Sequence, residues 1–479
     1  MKVVHLSSEV APFSKTGGLA DVAGALPDAL ARLGADVTVI SPYYPSVCCA
    51  AKTEVKASVS VRGASVSVRR LPGPGLVRHL FLDEPAAFNR PCLYGEQGKD
   101  YPDNAERFSL FCRAALETVS KLGLAPDVIH CHDWQTSLVP LYLTESYAGA
   151  PLSRTKTVLT IHNLGYQGNF PKEKFRLLGL PERLFSPAGV EYYNQVSFLK
   201  AGLLFANRLT TVSPTYAREI LTPELGFGFD GILKSREPDL SGILNGIDTA
   251  CWNPAADPAL ARPFSAENPS GKEAGKRALL TELGLSGGDA PLFSAVTRLA
   301  GQKGIDLITG RIPALVRAGA RVAVLGTGEP EHERALAALA GKHPSRVSAR
   351  ICFSEELAHR IYAGADFFLM PSRYEPCGLG QMLALRYGTL PIASRTGGLA
   401  DTVIDMSENP GAGNGFLFER GDEPGFGAAL ERALALYAHP ERLALVRGRG
   451  MRADFSWDAR AGEYLALYRA TSSRTESLS

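Results

Sequence analysis

Residues 2–30 read KVVHLSSEVAPFSKTGGLADVAGALPDAL, and the order of chemistry along them decides the fold. Val3 to Leu6 is a short apolar run that reads as a first β-strand. Leu19, Val22, Ala23, Leu26, Leu30 and Leu33 then keep the i, i+3, i+4, i+7 spacing of one helix face. A strand, a glycine loop and a helix in that order open a βαβ unit. Free amides and the positive end of the helix dipole suit phosphate at such a loop, and Lys15 adds a full charge. A plain strand-to-helix turn with a solvated lysine has the same sequence signature, so the loop alone leaves both readings open.

The pattern repeats along the chain. Strands are expected at VTVI (37–40), DVIHC (127–131), KTVLTIH (156–162) and RLTTV (208–212), and in a second series at LFSAVT (292–297), RVAVL (321–325), FFLM (367–370) and LPIA (390–393). Between the series, residues 250–275 are rich in Pro, Ala, Asp and Asn and read as an exposed connection. The expectation is an α/β protein of two domains, 1–245 and 250–455, with a frayed tail TSSRTESLS. Length agrees, since 479 residues exceed the roughly 250 to 300 at which one core stops growing.

Charge is balanced, 51 basic residues against 49 acidic, which argues against a nucleic-acid or anionic-membrane partner. The first apolar run is too short for a signal peptide, and no run approaches the roughly 18 residues of a membrane span. The eight cysteines show no Cys-x-x-Cys or other metal spacing, and no glycosylation sequon is present, so reduced thiols in a cytoplasm are expected.

Several loops could carry chemistry. KTGGLADVAG (15–24) is echoed by RTGGLADTVI (395–404). TRLAGQKGIDL places Arg298 and Lys303 after a strand, where two cations could neutralise a leaving diphosphate or simply face solvent. VAVLGTGEPE lacks the third glycine of a dinucleotide fingerprint, Glu331 standing there, which disfavours a nicotinamide cofactor. In PSRYEPCGLGQ, Glu375 can accept hydrogen bonds from sugar hydroxyls while the amides of Cys377, Gly378 and Leu379 face negative charge; an ordinary buried thiol is the other reading of Cys377. HCHDW (130–134) and TIHNLGYQG (160–168) put polar residues at strand ends. A metal pair of His130 and His132 is disfavoured for want of a third ligand. His162 with Asn163 reads as a sugar contact or as a capping or core histidine.

Together these segments, with LYGEQGKDYPDNAERF, SFLKAGL, LTTVSPTYAREI, GILNGID, AHRIYAGADF and YGTLPI, resemble the ADP-glucose-dependent glycogen and starch synthases from Met1 to about Tyr468. The resemblance implies a GT-B fold, two Rossmann-like domains facing a deep cleft, with a final helix at about 456–470 returning to the first domain. It implies ADP-glucose as donor, an α-1,4-glucan as acceptor, and neither metal nor cofactor. Lys15, Gly17 and Gly18 would contact the donor and Asp21 would order their loop. Arg298 and Lys303 would hold the distal phosphate, and Glu375 would bind glucose hydroxyls beside Cys377, Gly378 and Leu379. His162 would lie against the sugar with its carbonyl near the anomeric carbon, and Asp133 and Asn245 would line the same cleft. The family retains the α configuration, which the leaving-group oxygen can achieve by taking the acceptor's proton, without the covalent carboxylate of retaining glycosidases.

Three positions depart from the family pattern. Gly380 stands where the family commonly has Thr, removing a hydroxyl that could reach phosphate. Cys352-Phe353-Ser354 replaces Gly-Tyr-Asp, so Phe353 can stack on adenine without a phenolic donor, and Asn194 replaces a glycine. Alternatives are a UDP-glucose-dependent α-glucan synthase, or a catalytically weak glucan-binding homologue.

Overall fold

The computed structural model describes residues 1–73, 75–96, 98–286 and 289–473. Gln97 in the LYGEQGKD segment and the tail from residue 474 therefore lie outside the described residues. The chain forms two compact units, one of Met1–Gly246 with the chain from Trp457 on, the other of Ile247–Ser456.

The first unit is built on a nine-stranded sheet. Its strands are β1 (Lys2–Leu6), β2 (Asp36–Pro42), β3 (Glu54–Val61), β4 (Ala64–Arg70), β5 (Arg78–Asp83), β6 (Val128–His132), β7 (Lys156–Ile161), β8 (Arg208–Thr211) and β9 (Leu240–Gly242). Their spatial order is β9-β8-β7-β6-β1-β2-β5-β4-β3. From β9 to β5 neighbours run parallel, while β4 and β3 add an antiparallel edge. The central strands are buried on both faces, the usual condition of a parallel sheet. The β3–β4 hairpin escapes the strand expectations because its solvent face is polar and its turn, Arg62 and Gly63 both at positive φ, is a tight two-residue one. Register sets His5 of β1 beside His130 of β6, and His132 of β6 beside Thr160 of β7.

Helix α1 (Gly18–Arg32) buries Leu19, Val22, Ala23, Leu26 and Leu30, as its spacing predicts. Leu33 differs: the helix ends at Arg32, the chain turns through Gly34 at φ +88°, and Leu33 is left 46% exposed. Gly24 has a packing reason, since a Cβ there would lie 2.7 Å from the Ala11 carbonyl oxygen. The C-terminal helix Trp457–Ser473 packs on α1, with Tyr464 and Tyr468 fully buried.

The second unit holds a parallel six-stranded sheet of β10 (Leu292–Val296), β11 (Arg321–Leu325), β12 (Val347–Arg350), β13 (Phe367–Met370), β14 (Leu390–Ser394) and β15 (Phe416–Phe418), ordered β12-β11-β10-β13-β14-β15. The segment expected to be an exposed connection is partly packed. Trp252 stacks on His359 at 3.8 Å, Phe264 is 3% exposed, and buried Asp257 accepts hydrogen bonds from Tyr387 and from the His359 ring. Its few aromatic residues supply the apolar area that its prolines and small residues cannot. No described helix is long and apolar enough to cross a membrane.

Candidate active site

In an open α/β sheet the loops at the carboxyl ends of the strands carry ligands, and each unit gathers its candidates there. In the first unit β1 runs into Ser7, Ser8 and Glu9. Glu9 is 3% exposed, and its carboxylate accepts hydrogen bonds from the backbone and hydroxyl of Thr16 and from Tyr94, which also meets Ser8 at 2.7 Å. Burial raises the Glu9 pKa against the pull of these donors. Glu9 thus ties the Lys15–Gly18 loop to the end of β1. Lys15 reaches Asp21 at 2.7 Å, both about one-third exposed. Gly17 is in extended backbone at φ −157°, and a Cβ there would have nothing within 4 Å.

The next two strand ends meet through Asp133. That residue sits at φ +55°, unusual for a non-glycine, and its carboxylate accepts the His162 backbone N–H at 2.7 Å. Burial pushes the Asp133 pKa up to about 7, while the amides of His162 and Asn163 pull the other way. Asn163 Oδ1 accepts the Gly165 N–H at 2.9 Å, an Asx turn that bends the loop away from β7. Gly168 at φ +59° lets the loop lie on Trp134, where a Cβ would come within 2.5 Å of the indole. The His162 ring is part-buried, and burial pushes its pKa down to about 3, so it is neutral at physiological pH. Asn245, beyond β9, is 5% exposed, and its Oδ1 has no partner among the described residues.

In the second unit the loop after β10 carries Arg298 and the short helical turn Gly301–Lys303. Gly304, at φ +67°, allows that turn to approach the β13 loop, since a Cβ would stand 2.1 Å from the Pro371 carbonyl oxygen. The approach brings Lys303 Nζ to 2.6 Å from Glu375, which also accepts the Ser372 hydroxyl at 3.0 Å and is 5% exposed. Arg298 donates to Gln302 at 3.2 Å. Gly378, at φ +71°, turns the chain into the helix Gly380–Arg386, and Gln381 donates to the Cys377 and Gly378 carbonyls. Cys377 is 4% exposed. Lys303 and Glu375 thus meet in the second unit, Asp133, His162 and Asn163 meet in the first, and Lys15 pairs with Asp21.

The three departures have local accounts. A Cβ at Gly380 would lie 2.9 Å from the Phe368 ring and 3.4 Å from the Tyr362 hydroxyl, so the room for a threonine is already filled. Ser354 caps its helix by accepting the Leu357 N–H at 3.2 Å, the task an aspartate there would perform, and Phe353 before it is 81% exposed. Tyr193 and Asn194, at φ +48° and +58°, form the two-residue turn of a hairpin, where asparagine is the best substitute for glycine. Sequence reasoning missed Glu9, Ser372 and Tyr94. Glu9 alone carried a signal, an acid standing between apolar residues at a strand's end.

The chain resembles known proteins over nearly its whole length. Residues 2–235 match the starch synthase catalytic domain family, and residues 290–435 match the glycosyl transferases group 1 family. The chain is 48% identical to a glycogen synthase of Syntrophotalea carbinolica over 98% of each chain. It is 50% identical to a glycogen synthase of Myxococcus xanthus over 98% of this chain and 99% of that one. Among solved structures, the catalytic domain of Starch Synthase IV from Arabidopsis thaliana, bound to ADP and acarbose, superposes with a TM-score of 0.90 at 38% identity, covering 98% and 99% of the two chains. A sucrose-phosphate synthase from Thermosynechococcus elongatus shares the fold, at a TM-score of 0.61, 21% identity and 98% coverage of each chain. With near-complete coverage at about half identity, this chain belongs to the glycogen and starch synthase family of GT-B glycosyltransferases.

Proposed function

We propose that the chain transfers glucose from ADP-glucose to the end of an α-1,4-glucan, releasing ADP and retaining the α configuration. The observation that carries this reading is the buried Glu375 clasped by Lys303 and Ser372, with Arg298 on the same loop. A carboxylate able to accept from sugar hydroxyls stands beside a cation able to meet a diphosphate, and a pure glucan binder has no use for that pairing.

In this scheme Arg298 and Lys303 hold the distal phosphate and stabilise the negative charge that grows as the bond from C1 to the phosphate oxygen breaks. Glu375 and the amides of Cys377, Gly378 and Leu379 orient the donor, and Phe353 offers an exposed ring face to the base. Lys15, which pairs with Asp21, and Gly17 and Gly18 are assigned to the donor on the family resemblance. The acceptor hydroxyl attacks C1 from the leaving-group face and passes its proton to the departing oxygen, so bond formation and proton transfer balance without a covalent enzyme intermediate. Asp133 supports this choice: its carboxylate accepts the backbone N–H groups of His162 and Asn163, which commits it to holding that loop. Asn163 and Asn245, the latter with an uncommitted Oδ1, are assigned to sugar hydroxyls. The relative bound to ADP and acarbose supports a nucleotide donor and a glucan-like acceptor. Eight free cysteines support a cytoplasmic setting.

The test is ADP release from ADP-glucose with and without glycogen, with UDP-glucose in parallel and Arg298→Ala as control. Glycogen-dependent ADP release that falls about 100-fold or more in the control is expected. Faster turnover of UDP-glucose would reassign the donor, and sugar binding with no turnover of either would leave a retired, glucan-binding homologue.

A further inference from the structure

His5, His130 and His132 are fully buried, and one ring nitrogen from each lies within 4.8 Å of the others, the spacing of a metal site. The hydrogen bonds point elsewhere. Both nitrogens of His130 are engaged, Nδ1 with the Tyr468 hydroxyl at 2.7 Å and Nε2 with Thr160 at 2.6 Å. His5 Nδ1 lies 3.1 Å from His132 Nε2, and His132 Nδ1 lies 2.9 Å from His162 Nε2. Strand order produces this line: β1, β6 and β7 are neighbours in the sheet, and His5 is the penultimate residue of β1, His132 the last of β6 and His162 the first beyond β7.

Burial disfavours the charged form of every ring in the line, so each is neutral and carries one proton. Each nitrogen-to-nitrogen contact needs one proton between its rings. Only two arrangements then satisfy both contacts, all three rings protonated on Nδ1 or all three on Nε2, so the tautomers are locked together. The ends decide between them. His5 Nε2 is buried with no partner among the described residues. In the Nε2–H arrangement it would be an orphan donor, the rarer kind of buried polar defect, whereas in the Nδ1–H arrangement it is a bare lone pair. We infer that His5 and His132 are positioning residues that lock His162 as the Nδ1–H tautomer, presenting a hydrogen-bond donor to an oxygen of the bound substrate. The use of that donor rests on the transferase reading above; the lock itself does not.

The experiment is 15N NMR of the full-length chain labelled at histidine, with resonances assigned by single His→Gln variants, read before any substrate is added. The expected result is a protonated Nδ1 and a bare Nε2 on His5, His132 and His162. His5→Gln places at the chain's end an amide that can donate or accept. It should convert the His162 signal, two rings away, to a mixture of tautomers and lower kcat/KM about three- to tenfold, the size of one neutral hydrogen bond. A His162 resonance showing Nε2–H in the unsubstituted chain overturns the proposal, whether or not the variant folds. So does a His162 signal indifferent to His5. An inactive protein with the expected tautomers would instead refute the transferase reading and leave the lock standing.

Discussion

The loops at 15–21 and 395–401 share Thr-Gly-Gly-Leu-Ala-Asp after a basic residue, and their surroundings differ completely. In the first, Gly17 has open space where a Cβ would point, and Lys15 pairs with Asp21 of its own loop. In the second, Gly397 stands at φ +42° with a would-be Cβ 1.9 Å from the Glu375 carbonyl oxygen, and at Gly398 a Cβ would be 2.1 Å from that of Cys377. The Gly398 N–H donates to the Glu375 and Pro376 carbonyls, and Arg395 is tied to Glu408 and Glu419. One sequence therefore does two jobs: an accessible loop suited to a ligand, and a buttress pressed against another such loop. Identity of motif does not imply identity of role, because a glycine's value lies in what approaches it.

The largest expected effect comes from breaking the buttress. Gly398→Ala forces the backbone of Cys377 to move, and a displacement near 1 Å at the loop proposed to orient the donor should cost about 100-fold in kcat. Steady-state kinetics on a variant whose circular dichroism is unchanged checks it; activity within a few-fold of the parent would mean the two loops are not coupled.

Acidity should separate the two units next. All five histidines of the first unit, His5, His79, His130, His132 and His162, have pKa values lowered by burial, so the unfolded chain binds more protons below pH 6.5 and stability is lost as pH falls. Asp133 and Glu9, raised by burial, act with the opposite sign over part of the same range. Five groups against two leave a net loss of stability as pH falls from 6 to 5, up to about 1.4 kcal/mol per pH unit for each histidine not offset by a carboxyl. In the second unit Asp405, held at about 2 by Arg432 and its neighbours despite burial, keeps its contribution until pH falls below its unfolded value near 3.9. Hydrogen exchange resolved by segment should show β1, β6 and β7 losing protection first.

A smaller effect is expected at Gly380. Restoring the family's threonine crowds Phe368 and should cost about 1–3 kcal/mol in a denaturant titration, and Phe368→Leu should recover part of it. Smallest of all, Gly17→Ala should change stability by no more than about 0.5 kcal/mol, because its backbone is extended and its surroundings open. Any larger loss of activity in that variant therefore reports the approach of a ligand, which sharpens the contrast with Gly398.

Sequence alone determined what depends on neighbours along the chain. The central parallel strands, the apolar face of α1, the glycine turns and the polar residues at strand ends follow from periods of 2 and 3.6 and from turn chemistry, which are local properties. Locality also explains the errors: Leu33 continued a spacing one residue past the helix end, the β3–β4 hairpin carried no strand expectation, and the packed Trp252 stretch read as an exposed connection. The tertiary structure decided which local pieces meet. His5 lies 127 residues from His132 in sequence, Lys303 lies 72 from Glu375, and each pair was joined by the order and register of parallel strands or by a backbone approach that only glycine permits. Strand order is set by how the whole sheet buries both of its faces, a balance over hundreds of residues that no single segment records.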